Sequence, residues 1–558
     1  MGIGRALSGW RGQKKTVGLV ALLTIGWGLL FSALVPPSTE AAWLPTTSLT
    51  QAGQDADWPE VAFGPDGTTT VAWVRSNGTN DIAQASTRPA GSDSFTVPVD
   101  LSLPGQSASF PQVIAGSDGT TTVVWYRTSG PDSFIQAATR SQGEGSFSAP
   151  TNLSLPGGFA YNPVLAVGPN GTTTIGWSRQ AGGSDTIQTA TRQAGSTTFT
   201  TPLDVFGSAT TTVLADLLVA PDGTITALLY QFVGSDYRIR AATRAPGSAT
   251  FSAPVDISVP GGSAEYPRGS VGPDGSITVV WQQGSGGLDE IKTAFRAAGS
   301  STFSAPTTLS QGGVYNRAPQ IAAGPDGATT AVWYSYDGTR TMIQAASKAA
   351  GAASFGAPST ISTGTTNAFN PAVTIGSDGT TTAAWYQFDG MGGSLIQAAT
   401  RAAGAPSFGQ PVALTAPGGE GYNPKLASGP CGSYTTAVWE RTDGADYIIQ
   451  QASEPTAVCR PSLANLKAKG PKKAKLNKKV VFRITATNSG DATATGLKLK
   501  AAGKGVKASK SVGSLAAGKS KTVKLPLKFK KQGKVKVTFT LTSGNAGKKT
   551  VKKTVKVG

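Results

Sequence analysis

Side chains between residues 120 and 127 sort by parity: Thr121, Val123 and Trp125 fall on one side, Thr122, Val124 and Tyr126 on the other. A period of two marks a β-strand. Residues 112–115 form a short apolar strand before it, and Ser117-Asp118-Gly119 is a hairpin turn whose glycine supplies positive φ. Residues 133–140 read as a third strand and 147–153 as a fourth. Four antiparallel strands in ~50 residues describe one blade of a β-propeller. No unit holds a 3.6-residue apolar period, and Thr, Gly and Pro are too frequent for helices, which excludes a helical solenoid.

The unit recurs. Asp66, Asp118, Asn170, Asp222, Asp274, Asp326 and Asp378 are separated by six consecutive intervals of 52 residues, and Cys431 follows one residue late. Trp73, Trp125, Trp177, Trp281, Trp333, Trp385 and Trp439 keep step, with Leu229 standing in once. Such a period means stacked units, each too small to bury its own apolar face. The last unit, residues 424–454, stops after three strands. Residues 43–51 (Trp-Leu-Pro-Thr-Thr-Ser-Leu-Thr-Gln) resemble the fourth-strand segment 303–311. The expected fold is therefore all-β: an eight-bladed β-propeller over residues 43–459, closed by the N-terminal strand. In that geometry the turn aspartates and the basic residues ending strand three (Arg88, Arg140, Arg192, Arg244, Arg296, Lys348, Arg401) are expected to meet within a blade. The eighth blade has Cys431 and Glu454 at those two places.

Beyond residue 460 alternation resumes at 480–487, 497–499, 523–527, 535–541 and 550–557, indicating an Ig-like β-sandwich over 460–558. Charge divides the chain at the same place. Residues 460–558 hold 27 Lys+Arg against one acid, Asp491, giving 27 − 1 = +26; the whole chain is +18, so residues 1–459 carry 18 − 26 = −8. Lys498, Lys500, Lys524, Lys528, Lys534 and Lys536 alternate with apolar positions and so project from the outer faces. A surface this basic attracts polyanions. It has no Trp or Tyr to stack on bases, and export removes cytoplasmic nucleic acid, so the expected partner is an anionic wall polymer or lipid surface.

Residues 1–42 read as a signal peptide or signal anchor: Arg5, Arg11, Lys14 and Lys15 precede an apolar stretch ending in Pro36-Pro37 and small residues. The mature protein is expected outside the cytoplasm, secreted or at the cell surface, as a monomer. Cys431 and Cys459 then form a disulfide, worth ~3 kcal/mol for a loop of this size. No cofactor or metal is expected. The chain has no histidine, and each Asp-Gly turn offers one carboxylate where a calcium loop needs several in close order.

Paired strands, Ala-Thr-Arg, a Gly-containing turn and Phe-x-x-Pro, as at Arg140, Phe147 and Pro150 or Arg296, Phe303 and Pro306, resemble the propeller repeats of the sialidase-like (BNR, Asp-box) superfamily. The resemblance covers residues 43 to about 455, in degenerate form: the turn before strand four, Gln142-Gly143-Glu144-Gly145-Ser146, lacks the family's aspartate, and sialidases have six blades. The family's chemistry implies an arginine triad, a Tyr–Glu nucleophile pair and an acid/base Asp. Residues here that break the repeat (Glu265, Arg268, Arg317, Glu420, Lys425) are scattered, and without histidine the His-based acid/base and nucleophile-activation schemes are closed. An enzyme is not expected. The tail's segments 485–494 and 513–518 resemble bacterial CARDB-like Ig modules, which implies a surface or adhesion role.

An aromatic beside Asn or Pro leads into the inner strand of most units: Trp58, Phe110, Tyr161, Tyr266, Tyr315, Phe369 and Tyr422. These are the candidate binding residues. Aromatic faces beside amides suit sugar rings, while wedging between blades is the structural alternative. Three functional readings follow: a multivalent recognition platform, with glycans as candidate ligands, anchored by the basic tail; a non-catalytic protein-interaction scaffold; and a sialidase-like glycoside hydrolase.

Overall fold

The computed structural model describes residues 42–558 apart from 52, 286, 312–314, 431–432, 443, 456–462, 489–493, 516–518 and 545. The signal stretch through residue 41, Cys431, Cys459 and the disulfide expected between them lie outside the described residues. Every regular element among the described residues is a β-strand.

From residue 47 to residue 455 the strands form eight four-stranded antiparallel units. The second is representative: Ala108–Ala115, Thr121–Ser129, Asp132–Arg140 and Thr151–Asn152 pair in succession. Its last strand is shorter than the alternation around Phe147 implies. A parallel bridge from Phe159 to Ser133 merges the second and third units into one eight-stranded sheet. The eighth unit supplies Gly421–Ser428, Tyr434–Thr442 and Tyr447–Pro455, and its fourth strand is Thr47–Ser48, paired with Gln451 and Gln450. The first strand of each unit lies against that of the next, and Ala56–Phe63 of the first lies against Gly421–Ser428 of the eighth.

The Asp-Gly turns are local devices. Asp66 Oδ1 accepts the Thr68 N–H at 2.9 Å, and the same bond recurs at Asp118, Asn170, Asp222, Asp274, Asp326 and Asp378. The following glycine takes the positive φ that the turn demands, +91° at Gly67 and +79° at Gly119.

The apolar core is distributed between units. Trp125 packs with Ala72, Ala85 and Leu101 of the preceding unit, and Trp73 packs with Val438 and Ile449 of the eighth. The seven tryptophans at the repeat position, Trp73 to Trp439, and Leu229 in their register are fully buried. In the first three units the indole N–H finds an amide: Trp73, Trp125 and Trp177 donate to Gln84, Gln136 and Gln188 at 3.1–3.2 Å.

The basic residues ending strand three correct one expectation. Their partners lie in the preceding unit, not in their own. Arg192 pairs with Asp118 of the second unit at 3.2 Å. Arg140, Arg296, Lys348 and Arg401 feel Asp66, Asp222, Asp274 and Asp326, each one unit back. Parity is the reason. Arg140 stands opposite Thr121 in the register, on the face of Val123 and Trp125, and that face packs on the preceding unit. There Arg140 donates to Thr70 at 3.1 Å, Arg296 to Thr226 at 2.8 Å and Arg401 to Thr330 at 2.9 Å. A phenylalanine of the same unit covers the cation, 5.1–5.5 Å away at Phe147, Phe303 and Phe408. Between the eighth and first units the aspartate is missing, and Arg88 uses other groups. It donates to Thr436 and Ser453 and lies 4.1 Å over the Tyr434 ring, whose hydroxyl donates to Asp93 at 2.5 Å.

The tail is a two-sheet sandwich. Leu463–Lys469, Lys479–Asn488 and Ser520–Lys528 form one sheet. Lys473–Ala474, Lys548–Val557, Gly533–Thr542, Ala494–Gly503 and Val506–Leu515, in that spatial order, form the other. Phe482, Phe529 and Phe539 fill the space between, and Val535, Val537 and Leu541 point inward while Lys534 and Lys536 point out.

Trp333→Ala should lower the unfolding free energy by about 3–5 kcal/mol, the range for emptying a large aromatic site. Urea denaturation checks it; a loss below about 1 kcal/mol would contradict a core shared between units.

Candidate recognition surface

The first strand of every unit begins earlier than sequence pattern suggests and crosses a β-bulge. In the first unit Asp57 pairs with Val74 and Glu60 with Ala72, so one residue is surplus; the same slip occurs in all eight. The residue at the bulge has positive φ in seven: Trp58, Phe110, Asn162, Tyr266, Ala318, Asn370 and Asn423, at 46–56°. A proline follows each, and all seven prolines are buried. The pairing has a physical logic. The surplus residue leaves a gap in the ladder, which a proline without an N–H fills with no orphaned donor. The fourth unit has Leu214-Ala215 there and no positive φ.

Asparagine tolerates this conformation; an aromatic is strained in it by about 1–3 kcal/mol. The asparagines link neighbours at the same repeat position. Asn162 donates to the Leu214 carbonyl and Asn370 to the Asn423 side chain, both at 3.0 Å. Glu440 makes the corresponding link from the eighth unit to the first, accepting from Asn423 and from the Trp58 N–H, both at 2.8 Å.

The seven candidate aromatics occupy this surface in three registers. Trp58, Phe110 and Tyr266 sit on the bulge; Tyr161, Phe369 and Tyr422 precede it by one residue; Tyr315 precedes it by three. Much of their area packs. Trp58 stacks on Phe110 at 4.5 Å and Phe110 on Tyr126 at 5.8 Å, while Phe110 stays 46 % exposed. Phe159 joins Tyr126 to Tyr161, and Tyr334, Phe369, Tyr386, Tyr422 and Tyr447 form a second run. The tyrosines after the core position, Tyr126, Tyr230, Tyr334 and Tyr386, were the residues that sequence reading passed over. Their signal was present: each follows Trp or Leu229 and so has the opposite parity.

Tyr266 differs from the rest. It is 54 % exposed, and its ring neighbour is Tyr230, tilted 48° at 6.0 Å. Beside it lie Glu265, held above the usual carboxylate range by burial and by Asp289, and Arg317, which pairs with Asp289 at 2.5 Å and stands 4.9 Å over the Tyr315 ring. One polar–aromatic sector thus forms where the fifth and sixth units meet.

The remaining repeat-breaking residues go elsewhere. Arg268 donates to the Ala215 carbonyl at 2.7 Å, near Asp216, whose pKa burial raises. Lys425 pairs with Glu60 at 2.5 Å, and Gln112 donates to the same Glu60 oxygen at 3.2 Å. Glu420 accepts from the Tyr422 hydroxyl at 3.3 Å. Tyr161, Tyr334, Tyr386 and Tyr422 are all shifted upward, chiefly by burial, and Tyr230 is pushed up to about 12. These phenols are neutral hydrogen-bonding groups; nucleophilic use needs an activated, more acidic hydroxyl. No group of three or more His, Cys, Asp or Glu able to hold a metal occurs among the described residues.

Residues 460–550 match the CARDB family. No curated protein matches the chain. Among solved structures it is similar to a protein of unknown function from Dyadobacter fermentans, with TM-score 0.41 and 11% identity, covering 75% of this chain and 100% of that one. It is also similar to the intramolecular trans-sialidase of Ruminococcus gnavus, with TM-score 0.36 and 10% identity, covering 62% of this chain and 93% of that one. A CARDB domain from Pyrococcus furiosus, solved with di-metal ions, gives TM-score 0.16 and 19% identity over 18% of this chain and 90% of that one.

Burial holds the Glu440 carboxyl above the ordinary glutamate value of 4.5, opposed by its two hydrogen-bond donors. The folded state therefore takes the proton more readily than the unfolded chain. This contribution to stability is full below pH 4.5 and declines as pH rises through the higher folded value. Glu440→Gln keeps an acceptor and removes the titration, so its urea midpoint should fall less over that window than the wild-type midpoint. Parallel profiles would assign the effect to other groups.

Proposed function

We propose that the eight units form an eight-bladed β-propeller over residues 43–459 that recognises glycans without turning them over, and that the domain at 460–558 tethers it electrostatically to an anionic envelope surface. The protein acts outside the cytoplasm, delivered by the segment at 1–42. The observation that carries the reading is Tyr266: an aromatic held in a strained conformation, with a face open to solvent, beside Glu265, Asp289 and Arg317. An open ring face offers contact to the apolar C–H patch of a sugar, while carboxylates and a guanidinium satisfy its hydroxyls. Strain of this kind persists where the surrounding structure enforces it, and it collects at binding sites.

The stacked aromatics are read as supports of the site, because each is engaged by neighbouring rings. Raised tyrosine pKa values and the dispersal of Glu265, Glu420, Arg268 and Lys425 among separate contacts favour binding over glycoside hydrolysis. For the tail, 27 basic residues against one acid support attraction to polyanions.

On a glycan array, the mature protein carrying Tyr266→Ala should lose about tenfold or more in affinity, as expected for removal of a central aromatic contact. Phe110→Ala, which removes a ring stacked on Trp58 and Tyr126 and away from Glu265, Asp289 and Arg317, should retain binding. Equal loss in both variants, or no sugar binding by the wild type, would leave the platform a protein-interaction scaffold. Retention of the protein on anionic vesicles or wall polymer should fall steeply between low and high salt; salt-independent retention would overturn the tether.

A further inference from the structure

In the tail sandwich the two sheets each end in an edge strand, Val506–Leu515 in one and Ser520–Lys528 in the other, and these edges lie against each other. Their junction is a seam of roughly 30 Å, the length of a strand of this size. Exposed lysines run along it: Lys507 and Lys510 from one edge, Lys521, Lys524 and Lys528 from the other. Two of them reach across, Lys521 Nζ to the Val512 carbonyl at 2.9 Å and Lys510 Nζ to the Lys524 carbonyl at 3.5 Å. Carbonyls orient an ammonium group without neutralising it. No Asp or Glu occurs among the described residues of the sandwich.

The seam opens at one end into a cleft of about 550 Å³ between the two sheets. Lys479 and Lys528, paired across one sheet, face the hairpin turn of the other, where Gly505 takes φ +70° and accepts the Lys530 N–H at 2.8 Å. Four lysines (Lys479, Lys507, Lys528, Lys530) surround the cleft, and Pro526, Val506 and Leu527 contribute apolar lining. Lysine on edge strands also discourages edge-to-edge aggregation. That role needs outward charge on each edge and calls for neither a shared concavity nor an apolar floor.

We propose that this seam and cleft bind an unbranched phosphodiester polymer of small polyols, one chain lying along the seam. Recurring phosphates meet the lysine row, and the carbon linkers between phosphates lie on Pro526 and the lysine stems. A linear chain suits a narrow concave track, whereas a bilayer presents a flat surface. The absence of Trp and Tyr from the tail argues against a single-stranded nucleic acid, whose unpaired bases need stacking platforms. The inference rests on the tether reading and narrows it to one track on the domain.

The test uses the full mature chain and a fluorescently labelled glycerol-phosphate oligomer, with binding read by anisotropy across a salt series. Lys507→Glu/Lys528→Glu/Lys530→Glu should weaken binding by about thirtyfold or more and reduce the salt slope by about two to three contacts. Lys548→Glu/Lys549→Glu/Lys552→Glu, equal in charge change but on the strand Lys548–Val557, should cost less than about fivefold. Circular dichroism of both variants checks folding. Equal losses in the two triples would overturn the seam while leaving a diffuse electrostatic tether. No binding by the wild type at low salt would overturn the tether itself. Inorganic polyphosphate or anionic vesicles bound as tightly as the oligomer, with the same loss in both triples, would overturn the phosphodiester assignment.

Discussion

Everything between residues 47 and 455 depends on one arrangement: each unit buries one apolar face against its predecessor and the other against its successor. Trp125 belongs to the second unit by chain and to the first by packing, and Arg140 follows it on the same face. The buried cation would be costly alone. Threonine hydroxyls, a phenylalanine face and an aspartate one unit back together offset that cost. The requirement is strong enough that the junction between the eighth and first units, deprived of its turn aspartate, meets it with Tyr434 and Asp93 instead.

The same dependence explains why the candidate recognition surface is strained. A first strand that must lie against two neighbours has no room for a surplus residue except as a bulge, and the buried proline fixes where the bulge falls. The side chain before the proline is then turned outward whatever it is. Asparagine uses this to reach the next unit; tyrosine at 266 uses it to stand clear. The binding proposed for this face is thus a by-product of a packing device that the chain repeats for structural reasons, with its specificity placed where one repeat departs from the others.

The period of 52 residues, the parity of Thr121, Val123 and Trp125, and the likeness of residues 43–51 to a fourth strand made the unit organisation legible, because those features depend on chain-local rules. Other features were not legible. Asn162-Pro163 reads as a loop by composition, yet lies inside a strand, because a tertiary gap in the ladder tolerates what an isolated strand would not. The direction in which Arg140 reaches is set by which neighbour its face meets, information that no single unit contains. Among the candidate aromatics, sequence treated seven rings as equivalent. Stacking of Trp58 on Phe110, and the open position of Tyr266, depend on the identity of side chains a full unit away.

The strand Thr47–Ser48 runs antiparallel to Tyr447–Pro455, and the chain leaves that sheet toward the basic tail only a few residues later. Leu44 and Ser453 are already hydrogen-bonded at the end where both segments depart. A pull between the protein's leading segment and its tail is therefore borne by this one sheet. It acts at the open end of the pair, so the hydrogen bonds break in sequence instead of together. The other seven units carry no load. Mechanically the eight units fasten like a clasp: packing is shared between successive units, while tension on the two departing segments acts at a single sheet.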